Sequence, residues 1–240
     1  MVKLTIRQDV LSLRGKGNLI IATDNSGAIG EKELDVLIVS YEEVAYYLFR
    51  VTFMDMIAAG AWPKSLILQN FNGDEAWSPL LKGLEKGMAE AKITQLPITG
   101  SSESNFDLKQ SATSLTMIGQ EAKQEHLTWK DALKKEYNLA VIGKPLVGAE
   151  VLQNPDEITS LENFSWLSQR EEILALIPVG SKGIRAELKK VEENLSVNLP
   201  KILDLEKSAG PSTCYIVIYQ KDFEEKLGES ITDPVFKGSW

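Results

Sequence analysis

The first ten residues, MVKLTIRQDV, alternate polar and apolar side chains, and this period of two predicts a strand over 3–8. Apolar runs at 19–22 and 34–39 predict two more strands, over 18–23 and 34–39. A helix is expected over 41–59, because "SYEEV" supplies a Ser cap and acids in the first turn. "GAWP" stops it, with Gly60 past its end and Pro63 following. "KSLILQNF" reads as a strand and "DEAWSPLLKGLEKGMAEAK" as a second helix carrying two glycines, with Pro79 near its start. "QLPITG" is the next strand.

After the polar stretch 101–111 the pattern restarts. "SATSLTMIG" and "YNLAVIG" predict strands, and 154–176 and 180–195 read as helical. "PSTCYIVIY" predicts a late strand and "KDFEEKLGE" a short last helix. Strands flanking long helices make the chain α/β or α+β. The polar stretch is the expected boundary between domains at 1–107 and 108–240, and there is no internal repeat.

Composition then narrows the chemistry. The 240 residues are 43% hydrophobic, enough for a large core or two small domains. Thirty-four acids against 26 bases give a net charge of -8, a surface that repels phosphate backbones, so nucleic acid is not an expected partner. One cysteine, Cys214, and one histidine, His126, exclude an internal disulfide and a Cys/His zinc site. His126 reads as an exposed loop residue and Cys214 as core. No apolar run approaches membrane-spanning length and the N-terminus lacks a signal-peptide core, so the protein is expected in the cytoplasm without a membrane partner. Chemistry is left to carboxylates, Lys, Arg, hydroxyls, backbone amides or a bound metal.

Four acids stand out. Asp24 opens the connection "DNSGAIGEKE" between two expected strands, which at 24–33 exceeds the usual hairpin loop. A plain turn and a ligand-holding loop both fit it. Asp55 interrupts the apolar line Val44, Leu48, Val51 and Ala58 on the first helix. Either the helix turns it toward water, or it meets a metal or a hydrogen-bond network; a carboxylate in so apolar a stretch favours the second. Asp74 has the place of an N-cap for the second helix. Glu103, in "TGSSESNF", belongs to an anion-binding turn or to a linker. There is no P-loop and no dinucleotide fingerprint. "GSKGIRAEL" at 180–188, with Lys182 and Arg185, superficially suggests a phosphate loop, but a single Gly-Ser cap with surface bases is the commoner explanation.

Taken together, "ATDNSGAIG", "FMDMIAAGAWPKSLIL" and "ITGSSESNF" resemble, in order and spacing, the AIR synthase-like superfamily. That superfamily includes AIR synthase, thiamine-monophosphate kinase, selenophosphate synthetase and a hydrogenase-maturation protein. The middle element, "DMIAAGAWP", fits the pattern most closely, and the resemblance spans 19–106. It implies a two-domain subunit whose N-terminal domains pair into a homodimer with a barrel-like joined sheet. It implies ATP held through Mg2+ by Asp24, Asp55 and Glu103. Asn25, Ser26 and Gly27, with Gly100 and Ser101, would hold the nucleotide. Asp74 is the candidate catalytic base. "GSSES" departs from the Gly-Gly-Asp/Glu-Thr of relatives, and "IPVGSKGI" stands in place of a "D-x-S-D-G-G" element.

The function implied is Mg-ATP-dependent phosphoryl transfer to a small metabolite, with α-ribazole kinase as the branch most resembled. The alternatives are a ring-closing or amide-activating ATP enzyme and a non-catalytic nucleotide-binding protein of the same fold.

Overall fold

The computed structural model describes residues 2–4, 10–15, 17–122, 125–127, 137–193 and 197–239. The chain divides into two compact units, Asp9–Ala122 and a second drawn from Met1–Gln8 and Lys123–Trp240.

The first unit is one five-stranded sheet with two helices on one face. Its strands are β2 (Leu11–Leu13), β3 (Leu19–Gly27), β6 (Ala61–Asn70), β7 (Ile98–Ser102) and β8 (Ala112–Glu121), in the spatial order β2-β3-β8-β6-β7. Only β6 and β7 pair in parallel. β8 lies at the centre, between β3 and β6. The expected domain boundary at 107/108 is therefore corrected: the polar stretch 101–111 is a connection within this unit. β8 has a strict inside–outside alternation that only the sheet completes.

Helix α1 (Tyr41–Ala58) begins as expected, with the Ser40 hydroxyl accepting from the Glu43 amide at 3.2 Å and Glu42 and Glu43 in the first turn. It is buried on more than one side, since it packs against the sheet and also against α2 (Trp77–Glu90). The two glycines of α2 allow this approach. A Cβ on Gly83 would stand 2.0 Å from the Glu42 carbonyl oxygen, and one on Gly87 2.4 Å from the Phe49 ring. Leu48, Phe49, Phe53, Met54, Met56, Leu66, Leu68, Leu80, Leu84, Leu115 and Met117 form a dry core beneath and between the helices. Each such side chain contributes about 2 kcal/mol relative to exposure. Among the described residues of this unit, no helix lies over the other sheet face. Leu11, Leu13, Leu19 and Trp62 share it and are 57%, 47%, 41% and 37% exposed, with Ile21, Ile67 and Ile118 half-buried beside them.

Two expectations in this unit are corrected. The strand expected at 34–39 survives only as β5 (Leu37–Ile38), parallel to β4 (Ile29–Gly30). The strand expected at 18–23 runs on through Gly27, because every residue from Leu19 to Gly27 finds a register partner on β8.

The second unit holds an antiparallel sheet of β10 (Tyr137–Ile142), β11 (Ile173–Pro178), β12 (Tyr215–Gln220) and β13 (Val235–Gly238), ordered β11-β12-β10-β13. A parallel pair joins β1 (Val2–Leu4) to β9 (Glu125–Leu127), so His126 lies on a strand rather than in the expected loop. The remainder of the strand expected at 3–8 falls outside the described residues. The helices are α3 (Ala149–Gln153), α4 (Leu161–Ser168), α5 (Gly183–Val191) and α6 (Glu224–Ser230). The helix expected across 154–176 is corrected: α4 stops at Ser168 and "ILALIP" is β11, buried at every position. A short apolar run buried on both sides carries no period that tells strand from helix. Cys214, immediately before β12, is fully buried, as expected of a core residue.

Candidate functional site

The register of the first sheet assembles the site. On the helix-covered face one row runs Asp24, Leu115, Leu68 and Gly100, and the next runs Ser26, Thr113, Asn70 and Ser102. The first row still belongs to the core, since Leu68 and Leu115 are fully buried, and the second is wholly polar. Asp24 stands where the two meet. Burial pushes its carboxyl up from 3.8 to about 6, against the opposing pull of the Asn25 backbone hydrogen bond. Its position is fixed from behind, where the Ser114 hydroxyl donates to the Asp24 carbonyl at 3.0 Å.

Placing Asp24 in β3 corrects the expectation of a loop cradle at 24–27. Alternation along the strand puts Asp24 and Ser26 on the helix-covered face, and Asn25 and Gly27 on the other. Ser101, on β7, likewise faces away from Asp24, whereas Gly100 shares its face. A Cβ on Gly100 would stand 2.0 Å from the Leu68 carbonyl oxygen and 2.9 Å from the Trp77 ring, so close packing alone excludes a side chain there.

The long connection after β3 is held by an acid that sequence reasoning missed. Asp35 accepts from the Ser111 amide and hydroxyl, each at 2.7 Å, and from the Lys32 amide at 2.9 Å. Burial opposes its ionisation, but these bonds outweigh it and hold the carboxyl below the usual range. The Tyr41 and Ser111 hydroxyls lie 3.1 Å apart. Lys32 Nζ donates to the Leu108 carbonyl at 2.7 Å and Gln110 Nε2 to the Leu34 carbonyl at 2.7 Å. The loops 28–36 and 107–111 are thus latched into one piece at the end of the sheet.

The other expected residues fall as follows. Asp55 is half-buried near the end of α1. Asp74 is exposed and opens a 3-10 turn, Asp74–Ala76, that precedes α2. The cap position belongs to Gly73 (φ 90°) with no side-chain cap bond, so the expected N-cap role of Asp74 is corrected. Glu103 turns back on its own loop, one carboxylate oxygen accepting from the Asn105 and Phe106 amides at 2.7 and 3.2 Å, which holds its pKa low. The expected metal set of Asp24, Asp55 and Glu103 is not brought together. Among the described residues no group of three or more His, Cys, Asp or Glu side chains is placed to hold a metal ion. In "GSKGIRAEL", Lys182 is the cap of α5 and makes no side-chain cap bond, so the Gly-Ser cap is not formed.

Between Asp74 and Glu103 lies a network that the sequence did not announce. Asn70 is 1% exposed and Thr113 2%. Asn70 Nδ2 donates to the Gly73 carbonyl at 2.7 Å and to the Ser102 hydroxyl at 2.9 Å, and its Oδ1 accepts from the Asn72 amide at 2.9 Å. Asn72 in turn donates to Thr113 Oγ1 and accepts from the Ala112 amide, both at 2.8 Å.

No protein-family model and no curated protein matches the sequence. Solved structures match the fold. Thiamine monophosphate kinase from Aquifex aeolicus superposes with a TM-score of 0.63 at 13% identity, over 97% of this chain and 89% of that one. AaThiL complexed with AMPPCP and TMP gives 0.62 at 13% identity, over 96% and 83%. E. coli HypE, a hydrogenase maturation protein, gives 0.63 at 12% identity, over 91% and 79%. The chain therefore has the AIR synthase-like fold that the three motifs foreshadowed. No helix among the described residues is long and apolar enough to cross a membrane.

Proposed function

We propose that this chain binds a magnesium–ATP complex beside Asp24 and transfers its terminal phosphoryl group to a small metabolite. The carrying observation is Asp24 itself, a carboxylate at the edge of a dry core, next to a row of hydroxyls and an amide, whose burial raises the cost of its charge. A nearby cation relieves the cost of ionising such a group. Mg2+ takes oxygen ligands and is held by one or two carboxylates together with substrate phosphates, so the donor set fits without a cluster of acids. Asp24 would hold the metal as its one carboxylate; Asp55, near the far end of α1, is not placed beside it. The metal supplies charge neutralisation for the phosphates. Ser26 presents a hydroxyl on the same face as Asp24, while Gly100 there lets the strand pack against Leu68 and Trp77. Asp74, exposed at the start of its turn, is the candidate base for the acceptor hydroxyl. The complex of AaThiL with AMPPCP, an ATP analogue, supports a nucleotide at this fold.

α-Ribazole is the acceptor that the sequence resemblance suggests. A second reading, nucleotide binding without transfer, is favoured by the inward turn of Glu103 and the scattered carboxylates. Titration calorimetry with Mg-ATP, followed by a coupled ADP-release assay across a set of ribosides, separates the two. Binding with turnover supports the kinase, and binding without turnover on any riboside supports the second reading. No binding removes both.

A further inference from the structure

We infer that Asn70 is a positioning residue, one that fixes the two ligand-facing segments at the end of the sheet; this rests on the magnesium–nucleotide reading above. Asparagine is a poor strand former, yet Asn70 closes β6 almost wholly out of water. Burying an amide is tolerated only when its donors and acceptor are used. Here both donors and the acceptor are used, and on different segments. One donor holds the carbonyl of Gly73, directly before Asp74. The other holds the hydroxyl of Ser102, two residues past Gly100. The Asn70 carbonyl accepts from the Glu103 amide at 2.8 Å, and its side-chain oxygen orients Asn72. Asn72 carries the tie on to Ala112 and Thr113.

The turn that presents Asp74 and the end of β7, at Ser102, thus share one buried amide. Neither segment is tied to the other through a regular ladder beyond Ser102, where β7 ends. Asn70 touches no ligand in this account. It sets the distance between the groups that would.

The test compares Asn70→Asp with Tyr46→Phe in the full chain. The first is isosteric but cannot donate to both the Gly73 carbonyl and Ser102. The second removes a 2.6 Å hydrogen bond to Glu90 on the helix pair, away from these segments. Mg-ATP affinity is read by calorimetry at a temperature where both variants are folded, alongside melting points. Asn70→Asp should weaken affinity by about tenfold or more, since small misplacements of binding groups carry large penalties. Tyr46→Phe should lower the melting point yet leave affinity unchanged. Amide exchange should quicken at Ala76, whose amide bonds the Gly73 carbonyl that Asn70 Nδ2 holds, in Asn70→Asp only. If Asn70→Asp does not fold, Ser102→Ala removes one of its acceptors alone and should give a smaller loss of affinity. Wild-type affinity in Asn70→Asp, or in Ser102→Ala where that variant stands in, overturns the positioning role and leaves the nucleotide reading intact. A wild-type chain that takes no Mg-ATP overturns that reading and this role together.

Discussion

Asp24→Asn keeps the shape of the side chain and removes its charge, which makes it the sharpest probe of the candidate site. In the folded chain the Asp24 carboxyl titrates at about 6, against 3.8 in the absence of burial. A gap of that size corresponds to about 3 kcal/mol at 1.36 kcal/mol per unit. The sign follows from proton linkage. The folded state holds the proton more tightly than the unfolded one, so the protonated group carries no penalty below pH 3.8. Stability then falls as the pH rises toward 6, and above that the full penalty applies. The substituted amide cannot ionise. The variant should therefore match wild type at pH 3.5, exceed it by up to about 3 kcal/mol at pH 7.5, and melt several degrees higher there. Calorimetric melting from pH 3.5 to 8 reads this directly. Saturating Mg-ATP should raise the wild-type midpoint by mass action and leave that of the variant almost unmoved, because an amide is a poorer ligand for a hard cation. A variant that melts earlier than wild type at pH 7.5 and still gains from Mg-ATP would refute the reasoning on both counts.

Three further outcomes are expected. ATP affinity should fall at least about tenfold when a chelator replaces Mg2+ in calorimetry, since a net charge of -8 leaves the metal as the counter-charge; equal affinity without metal contradicts the proposed site. The uncovered sheet face should seat a second copy of the chain, so light scattering at micromolar concentration should give twice the subunit mass, and Ile21→Asp should give monomers; a monomeric wild type removes the pairing. Gly83→Val should lower stability by about 3 kcal/mol in denaturant melts, because its Cβ would stand 2.0 Å from a helix carbonyl; an unchanged midpoint would show that α1 and α2 are not packed as described.

How much was legible in the sequence depended on how local the cause was. Helix α1 was readable because its cap, first-turn acids and glycine stop lie within twenty residues of one another. The segment 24–27 was read as a loop because Asp, Asn, Ser and Gly are poor strand formers, yet it runs as strand because β8 supplies partners some 90 residues away. The loop 28–36 is likewise fixed from a distance, Asp35 meeting Ser111 across 76 residues. "ILALIP" lacked any period at all. Asn70 fell at the end of the expected strand "KSLILQNF", and only the folded chain shows where its amide and that of Asn72 are spent. Asp24 was found, through its place in a motif; its raised pKa came only from the burial that the neighbouring rows impose.

That state bears on the order in which ligands arrive. Three clustered carboxylates would repel one another without a metal and would bind one strongly on its own. A single half-buried carboxylate offers free Mg2+ only one protein ligand, and the others must come from elsewhere. Phosphate oxygens supply those ligands, so on the proposed reading metal and nucleotide enter as one complex and neither binds well alone. The latched loops suit this arrangement. Asp35 satisfies Ser111 and Lys32 within the protein, so its charge is already matched by donors, whereas burial opposes that of Asp24. Affinity for free Mg2+ well below that for the metal–nucleotide complex follows directly, and tight binding of the bare ion would mean that a second carboxylate stands closer to Asp24 than this reading requires.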